Sequence, residues 1–361
     1  MTDGPDLAEG LRAALAHHWH PVCAEDDLPG PVGVRLLGRD LAVARLGAGN
    51  DGNDGQIAAF DDRCPHRSTR LSVGRVDGDC LRCAYHGWTF GADGACTAIP
   101  SMPDGPIPAR ARVNSYDVTV RRGLVWVRLD GSVDTTVPAC PAFDDPAMKV
   151  LAGTPYTWPV SAPRRVENFV DLAHFAFVHD GTLGRIDQPV PPVPDIDRVD
   201  AELRFAYEPP ALPDDPAETA MLGSSAYRMP MPCTVDIAFH YPDGRRRQLW
   251  MTASPVDDAT CRTFWYVCRT DDLAGDDRDH LAFQDVVLAE DRPVVCNQVP
   301  PELPLEPSAE LSVRTDKVSI EYRRWLRELA TAALGGPEAY AVALGSPLQA
   351  VTVRSGAERA R

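Results

Sequence analysis

Two short segments restrict this chain more than any other feature: Cys64-Pro65-His66 and Cys83-Ala84-Tyr85-His86-Gly87-Trp88, with sixteen residues between His66 and Cys83. Each supplies one thiolate and one imidazole. A two-iron, two-sulfur cluster with two Cys on one iron and two His on the other asks for that supply, one ligand from each loop to each iron. The His pair raises the reduction potential above that of an all-Cys cluster. Pro65 and Gly87 suit tight loop tips whose backbone N–H groups donate to cluster sulfurs. Zinc can also take two Cys and two His. Structural zinc loops, however, space their Cys pairs by two to four residues, and Cys-x-His fits that habit poorly.

The surroundings suit loops held on short strands. Arg35-Leu36-Leu37, a turn at Gly38-Arg39-Asp40, and Leu41 to Leu46 read as a hairpin. Gly91 to Gly94 marks another turn, and Arg122-Gly123 separates Val118-Thr119-Val120 from Leu124-Val125-Trp126-Val127. A helix is expected over Leu7–His17. Residues 1–140 then read as an antiparallel β domain, closed by a Pro-rich, acidic linker from Pro138 to Pro146. Residues 141–361 differ, as a length of 361 residues allows. Their pattern predicts helices over Arg164–His179, Asp276–Ala289 and Val318–Leu334. Strands are expected near Cys233–Tyr241, Gln248–Ser254 and Thr263–Arg269. Pro293 should end or kink its helix. Asp316 should cap the last one, which Gly335-Gly336 stops. Ile186 to Pro216, rich in Pro and Asp, reads as a long loop. The polar tail after Gly345 is expected to be mobile.

Charge and composition exclude some functions. A net charge of −16 argues against a phosphate-backbone partner, so no nucleic acid is expected. No apolar run is long enough to span a membrane. The acidic start lacks the features of an export signal, which implies a reducing, cytoplasmic compartment. The ten cysteines then read as metal ligands and free thiols. Cys23, Cys96, Cys140, Cys233, Cys261, Cys268 and Cys296 are expected to be small buried residues.

Cys64-Pro65-His66-Arg67 and Cys83 to Trp88 resemble the fingerprint of Rieske proteins. The flanks, Trp19-His20-Pro21-Val22, Leu36 to Asp40 and Gly123 to Val127, are similar to the N-terminal domain of Rieske non-haem iron oxygenases. Ala84 departs from the Pro that many relatives carry. By this resemblance Cys64, His66, Cys83 and His86 hold a Rieske [2Fe–2S] cluster.

A second constellation lies in Asn168-Phe169-Val170-Asp171-Leu172-Ala173-His174-Phe175-Ala176-Phe177-Val178-His179. Two His and a carboxylate on one face of Fe(II) leave positions open for O2 and substrate. In a regular helix His174 and His179 would lie about 140° apart, so a helix end or π-type bulge is expected between them. Taken alone, a buried His on an apolar helix is more often hydrogen-bonded than metal-bound. The segment resembles the Asp-x2-His-x4-His motif of Rieske oxygenases. That resemblance makes His174 and His179 iron ligands and Asp171 the carboxylate linking the two metal centres between subunits. Asn168 matches a position near the iron. The segment Phe283 to Val295 resembles the one that donates an aspartate in the single-subunit-type monooxygenases. Asp291 is its expected ligand, with Asp285 and Glu290 as alternatives.

The resemblance implies an α+β fold: an N-terminal antiparallel β Rieske domain, then a helix-grip (START-like) catalytic domain around mononuclear Fe(II). It implies a terminal oxygenase that hydroxylates or oxidatively demethylates a small, mostly apolar molecule with O2. Electrons would come from NAD(P)H through a flavin/iron–sulfur reductase or ferredoxin, in a homotrimer. The alternatives are the α subunit of a ring cis-dihydroxylase, a pure electron carrier, or a non-catalytic ligand-binding relative.

Overall fold

Small apolar residues in strict alternation build the first half of the molecule. Leu41 and Val43 pack to one side of their strand, and Ala42, Ala44 and Leu46 to the other. A strand buried on both faces keeps its side chains small where a second layer comes close. The structure, a computed structural model, describes residues 6–47, 55–199, 201–208 and 223–345; the tail beyond Gly345 lies outside them. Residues 16–137 form one unit, and residues 138–345 with 6–15 form another.

The first unit holds a six-stranded sheet in the order β1-β10-β9-β4-β3-β2. Its strands are β1 (His20–Ala24), β2 (Val32–Leu36), β3 (Arg39–Leu46), β4 (Gln56–Asp61), β9 (Ser115–Arg121) and β10 (Leu124–Arg128). Leu36 pairs with Arg39, so the β2–β3 turn is Leu37-Gly38, with φ of 49° and 78°. Two residues at positive φ give the type I′ turn that matches strand twist. The pattern placed this turn one residue late, because Leu does not advertise positive φ. A smaller antiparallel sheet follows: β5 (Arg75–Asp77), β6 (Cys80–Arg82), β7 (Thr89–Phe90) and β8 (Cys96–Ala98). Its Leu81 and Phe90 share a core with Ala42, Ala44 and Phe60 of the larger sheet, and Cys64 and Cys83 belong to that same core.

The second unit is an eight-stranded antiparallel sheet in the order β11-β18-β17-β16-β15-β14-β13, with β12 also on β18. Its strands are β11 (Lys149–Ala152), β12 (Tyr156–Trp158), β13 (Ile196–Val199), β14 (Glu202–Tyr207), β15 (Ser224–Met231), β16 (Thr234–His240), β17 (Arg246–Asp257) and β18 (Thr260–Arg269). The strands β13 and β14 correct the expectation of a long loop over Ile186–Pro216 at residues 196–199 and 202–207; residues 200 and 209–216 lie outside the described ones. Their alternating Leu203 and Phe205 are buried, a signal hidden in sequence by the flanking Pro and Asp residues. The helices are α1 (Leu7–Ala16), α2 (Ala162–Val170), α3 (Phe175–Val178), α4 (Asp277–Val295), α5 (Lys317–Leu334) and α6 (Pro337–Leu344). Helix α5 buries the expected stripe Val318, Tyr322, Trp325 and Leu329, and its Tyr322 hydroxyl donates to Pro232 O at 2.7 Å. Asp316 stands at its N-cap without a capping bond. Its carboxylate instead accepts from Val313 N at 2.7 Å. This is the α+β helix-grip architecture: an antiparallel sheet on a long C-terminal helix.

Candidate metal centres

The chain after β4 turns back on itself through residues 62–74. Buried Asp62 staples it by accepting Ser72 N and Ser72 Oγ, both at 2.7 Å. Within it Cys64 N donates to Thr69 O at 2.8 Å, and Ser68 N to Cys64 O at 2.9 Å. The other tip joins β6 to β7, with Cys83 N on Trp88 O at 2.9 Å and Gly87 N on Cys83 O at 3.1 Å. Gly87 has φ of 71°, a conformation that a side chain would strain.

The two tips face each other in like pairs. Burial and the adjoining Cys83 thiol push the Cys64 thiol up to about 11, against hydrogen bonds from the His66 and Arg67 backbone amides. The His66 and His86 rings have centroids 4.4 Å apart, and His66 stacks on Trp88 at 4.6 Å. Partial burial, His86 and Arg67 lower the His66 imidazole. Its Nδ1 is shielded from solvent and makes no hydrogen bond. A thiol pair and an imidazole pair fit a cluster with one pair on each iron. A single zinc would draw all four donors together. Among the described residues the one group of three or more donor atoms mutually within 4.8 Å lies elsewhere.

That group is His174, His179 and Asp291. Ser161 caps α2 by accepting Arg164 N at 3.2 Å. The helix stops at Val170. Asp171 follows in extended conformation, and its Oδ1 accepts Ala173 N at 2.8 Å. The single-turn helix α3 then lies between His174 and His179, which occupy its two caps. The helix end or bulge expected between the two His comes instead at the second of them, His179, the C-cap of α3. A second break, at Asp171, interrupts the continuous helix expected over Arg164–His179. The two imidazole centroids lie 5.0 Å apart.

The carboxylate arrives on α4. This helix runs to Val295 with Pro293 inside it, six residues beyond the expected end at Ala289. Loss of the Pro293 N–H costs one hydrogen bond near the end of a helix and does not stop it at once. The extension keeps Glu290 and Asp291 on adjacent faces of one turn. Asp291 Oδ1 lies 3.5 Å from His174 Nε2 and 3.2 Å from His179 Nε2. Glu290 accepts from His179 Nδ1 at 2.7 Å and from Thr182 Oγ1 at 2.7 Å, on the far side of the ring. Asp285 sits exposed on α4, outside the group. Asp171 Oδ2 stands 3.5 Å from His174 Nδ1, a charge contact too long for a well-formed hydrogen bond.

Burial opposes the positive charge on His174, but Asp171 and Asp291 outweigh it and raise the imidazole to about 9. Burial likewise disfavours ionised Asp291, yet His174, His179 and Arg165 hold its carboxyl well below the usual range. Asn168 Nδ2 donates to Asp291 Oδ1 at 3.2 Å. Arg165, with no exposed side-chain surface, donates to Asp291 Oδ2 at 3.2 Å. Sequence reasoning missed Arg165, which looks like any surface Arg. Its spacing of three residues from Asn168 was the available signal. Two imidazoles and a carboxylate, buried and converging, fit mononuclear Fe(II).

Comparison with known proteins agrees with this geometry. Residues 18–117 match the Rieske [2Fe-2S] domain, and residues 158–332 the vanillate O-demethylase oxygenase C-terminal domain. The chain is 40% identical over 351 residues to methylxanthine N1-demethylase NdmA of Pseudomonas putida, covering 93% of this chain and 95% of the relative. It is 43% identical over 342 residues to methylxanthine N3-demethylase NdmB of the same organism, covering 91% and 93%. The solved structure of Pseudomonas putida CBB5 NdmA with caffeine superposes with a TM-score of 0.85 at 38% identity, over 98% of this chain and 100% of that one. A paired-Cys, paired-His centre, a two-His carboxylate trio and near full-length similarity all agree, and the chain belongs to the Rieske non-haem iron oxygenases, terminal oxygenases that use O2 with a [2Fe–2S] cluster and a mononuclear iron.

Proposed function

We propose that this oxygenase removes an N-methyl group from a planar N-heterocycle of the methylxanthine type. Two observations support the reading: the trio of His174, His179 and Asp291, and the extent of similarity to two N-demethylases. The motifs alone do not separate hydroxylation from oxidative demethylation, since both begin by oxidising a C–H bond. Cys64, His66, Cys83 and His86 would hold the cluster in the unit of residues 16–137. His174, His179 and Asp291 would hold the iron in the other unit.

When bound, these groups supply single electrons and O2 activation, so that the methyl carbon gains a hydroxyl, the second oxygen leaves as water, and formaldehyde is then released. The chain's residues prepare the ground. Glu290 accepts a hydrogen bond from His179 Nδ1, which leaves the Nε2 lone pair, on the side of Asp291, free for a metal. Asp171 stands 3.5 Å from the corresponding Nδ1 of His174, a charge contact without a well-formed hydrogen bond. Such partners orient a ligand ring and increase its basicity. We further propose that an external flavin/iron–sulfur reductase supplies the electrons. In a homotrimer, exposed His86 and partly exposed Asp171 of neighbouring chains would form the contact between metal centres. Ten free cysteines are compatible with a reducing, cytoplasmic location.

The test is anaerobic purification, metal analysis, then incubation with NADPH, a surrogate reductase and a panel of methylxanthines. Iron and acid-labile sulfide should appear in a ratio of about three to two. Formaldehyde should appear in step with a demethylated purine. Turnover of methoxyarenes with none of the N-methylated purines would refute the substrate reading.

A further inference from the structure

The buried guanidinium of Arg165 has a place in this site that ligation alone does not explain. Burying a charge costs several kcal/mol unless its donors are used. Here they are used toward specific partners. Nη1 donates to Asn168 Oδ1 and, at 3.2 Å, to Asp291 Oδ2. On the opposite edge Nε and Nη2 donate to the Tyr156 hydroxyl at 3.0 and 2.9 Å. Aromatic rings enclose the group, with Phe169 and Trp158 centroids 3.8 and 4.3 Å from Cζ. A planar cation packed against rings and bonded at both edges has little freedom to turn.

This clamp divides the labour of Asp291. Oδ2 is committed to Arg165. Oδ1 is left facing both imidazole nitrogens, with Asn168 Nδ2 at 3.2 Å. The Asn168 amide cannot flip, because its oxygen is already taken by Arg165. We propose that Arg165 is a positioning residue that presents a single oxygen of Asp291 to the metal and fixes Asn168 beside it. A carboxylate held to one oxygen occupies one coordination position where a chelating one would occupy two, which keeps a position free for O2. The proposal rests on the reading of Asp291 as an iron ligand.

The experiment measures Fe(II) affinity and the visible spectrum of Co(II) at the mononuclear site, in full-length protein with the cluster intact by its own absorbance. The variants are Arg165→Met, Tyr156→Phe and Asp291→Ala. Arg165→Met should bind Fe(II) about 10-fold more weakly, as loss of a ligand's hydrogen-bond partner commonly does, and should shift the Co(II) bands. If Asp291→Ala binds Fe(II) like the wild type, the underlying ligand assignment falls whatever Arg165 does. If Asp291→Ala loses the metal while Arg165→Met keeps wild-type affinity and an unchanged Co(II) spectrum, the role given to Arg165 is overturned and the ligand assignment stands. Should Arg165→Met fail to fold, Tyr156→Phe decides. A several-fold loss of affinity with shifted bands supports the clamp, and wild-type behaviour overturns it.

Discussion

Asp171 serves two neighbours at once, ending α2 through Ala173 N and facing His174 through its other oxygen. Asp171→Asn keeps the turn-forming oxygen and removes the charge. Iron content of that variant should remain at the wild-type level while product formation stops, which metal analysis and a formaldehyde assay read together. Glu290→Gln acts at the other imidazole. It weakens the acceptor for His179 Nδ1 and should raise the Fe(II) dissociation constant by about 10-fold or more, measured by titration of the iron-free site. His174 carries the pH dependence. Its imidazole is raised to about 9 in the folded iron-free protein, above the ordinary 6.5 of an unfolded chain. Folding stability from its charge is therefore complete below pH 6.5 and lost as pH rises through 9. The urea midpoint of the iron-free protein should fall across that window, and the fall should flatten in His174→Gln. Fe(II) reverses the trend, because it binds the neutral ring and displaces the proton. The ligand types were legible at this scale from spacing. The roles of Glu290 and Arg165 were not, because each depends on which side of a ring or carboxylate it reaches.

At the scale of elements, the site depends on two helices that do not behave as simple periodicity suggests. Apolar residues continue through Phe169, Phe175 and Phe177, so the pattern reads as one helix, yet the Asp171 turn divides it. Pro293 reads as an end or a kink, yet α4 continues two residues past it. Helix α2 is anchored to α5 by ion pairs: Arg323 with Glu167 at 2.8 Å and with Glu310 at 2.6 Å, and Arg164 with Glu310 at 2.9 Å. Burial raises Glu167 against the pull of Arg323. Arg323→Leu leaves that carboxyl buried without its main partner. It should cost about 3 kcal/mol, read as a lowered urea midpoint of the mononuclear-iron unit with the cluster absorbance unchanged.

Over the whole molecule, the two candidate centres fall in two different units, Cys64, His66, Cys83 and His86 in one and His174, His179 and Asp291 in the other. Metal binding stabilises the state that binds it. A chelator that strips the mononuclear iron and spares the cluster should lower only the unfolding transition of residues 138–345. Calorimetry with and without added Fe(II) should show that transition move while the other stays in place.

The candidate cluster ligands and the two His were legible in local sequence: short motifs, alternation and turn residues within a few positions of one another. The partner for those His could not be read the same way. Asp285, Glu290 and Asp291 stand within one short stretch, all acidic, and only the path of α4 past the α2–α3 break decides which carboxylate meets both imidazoles. The β13–β14 hairpin and the burial of Arg165 were settled likewise by contacts between distant segments, because a strand or a buried charge is stable only where the rest of the fold supplies its partners.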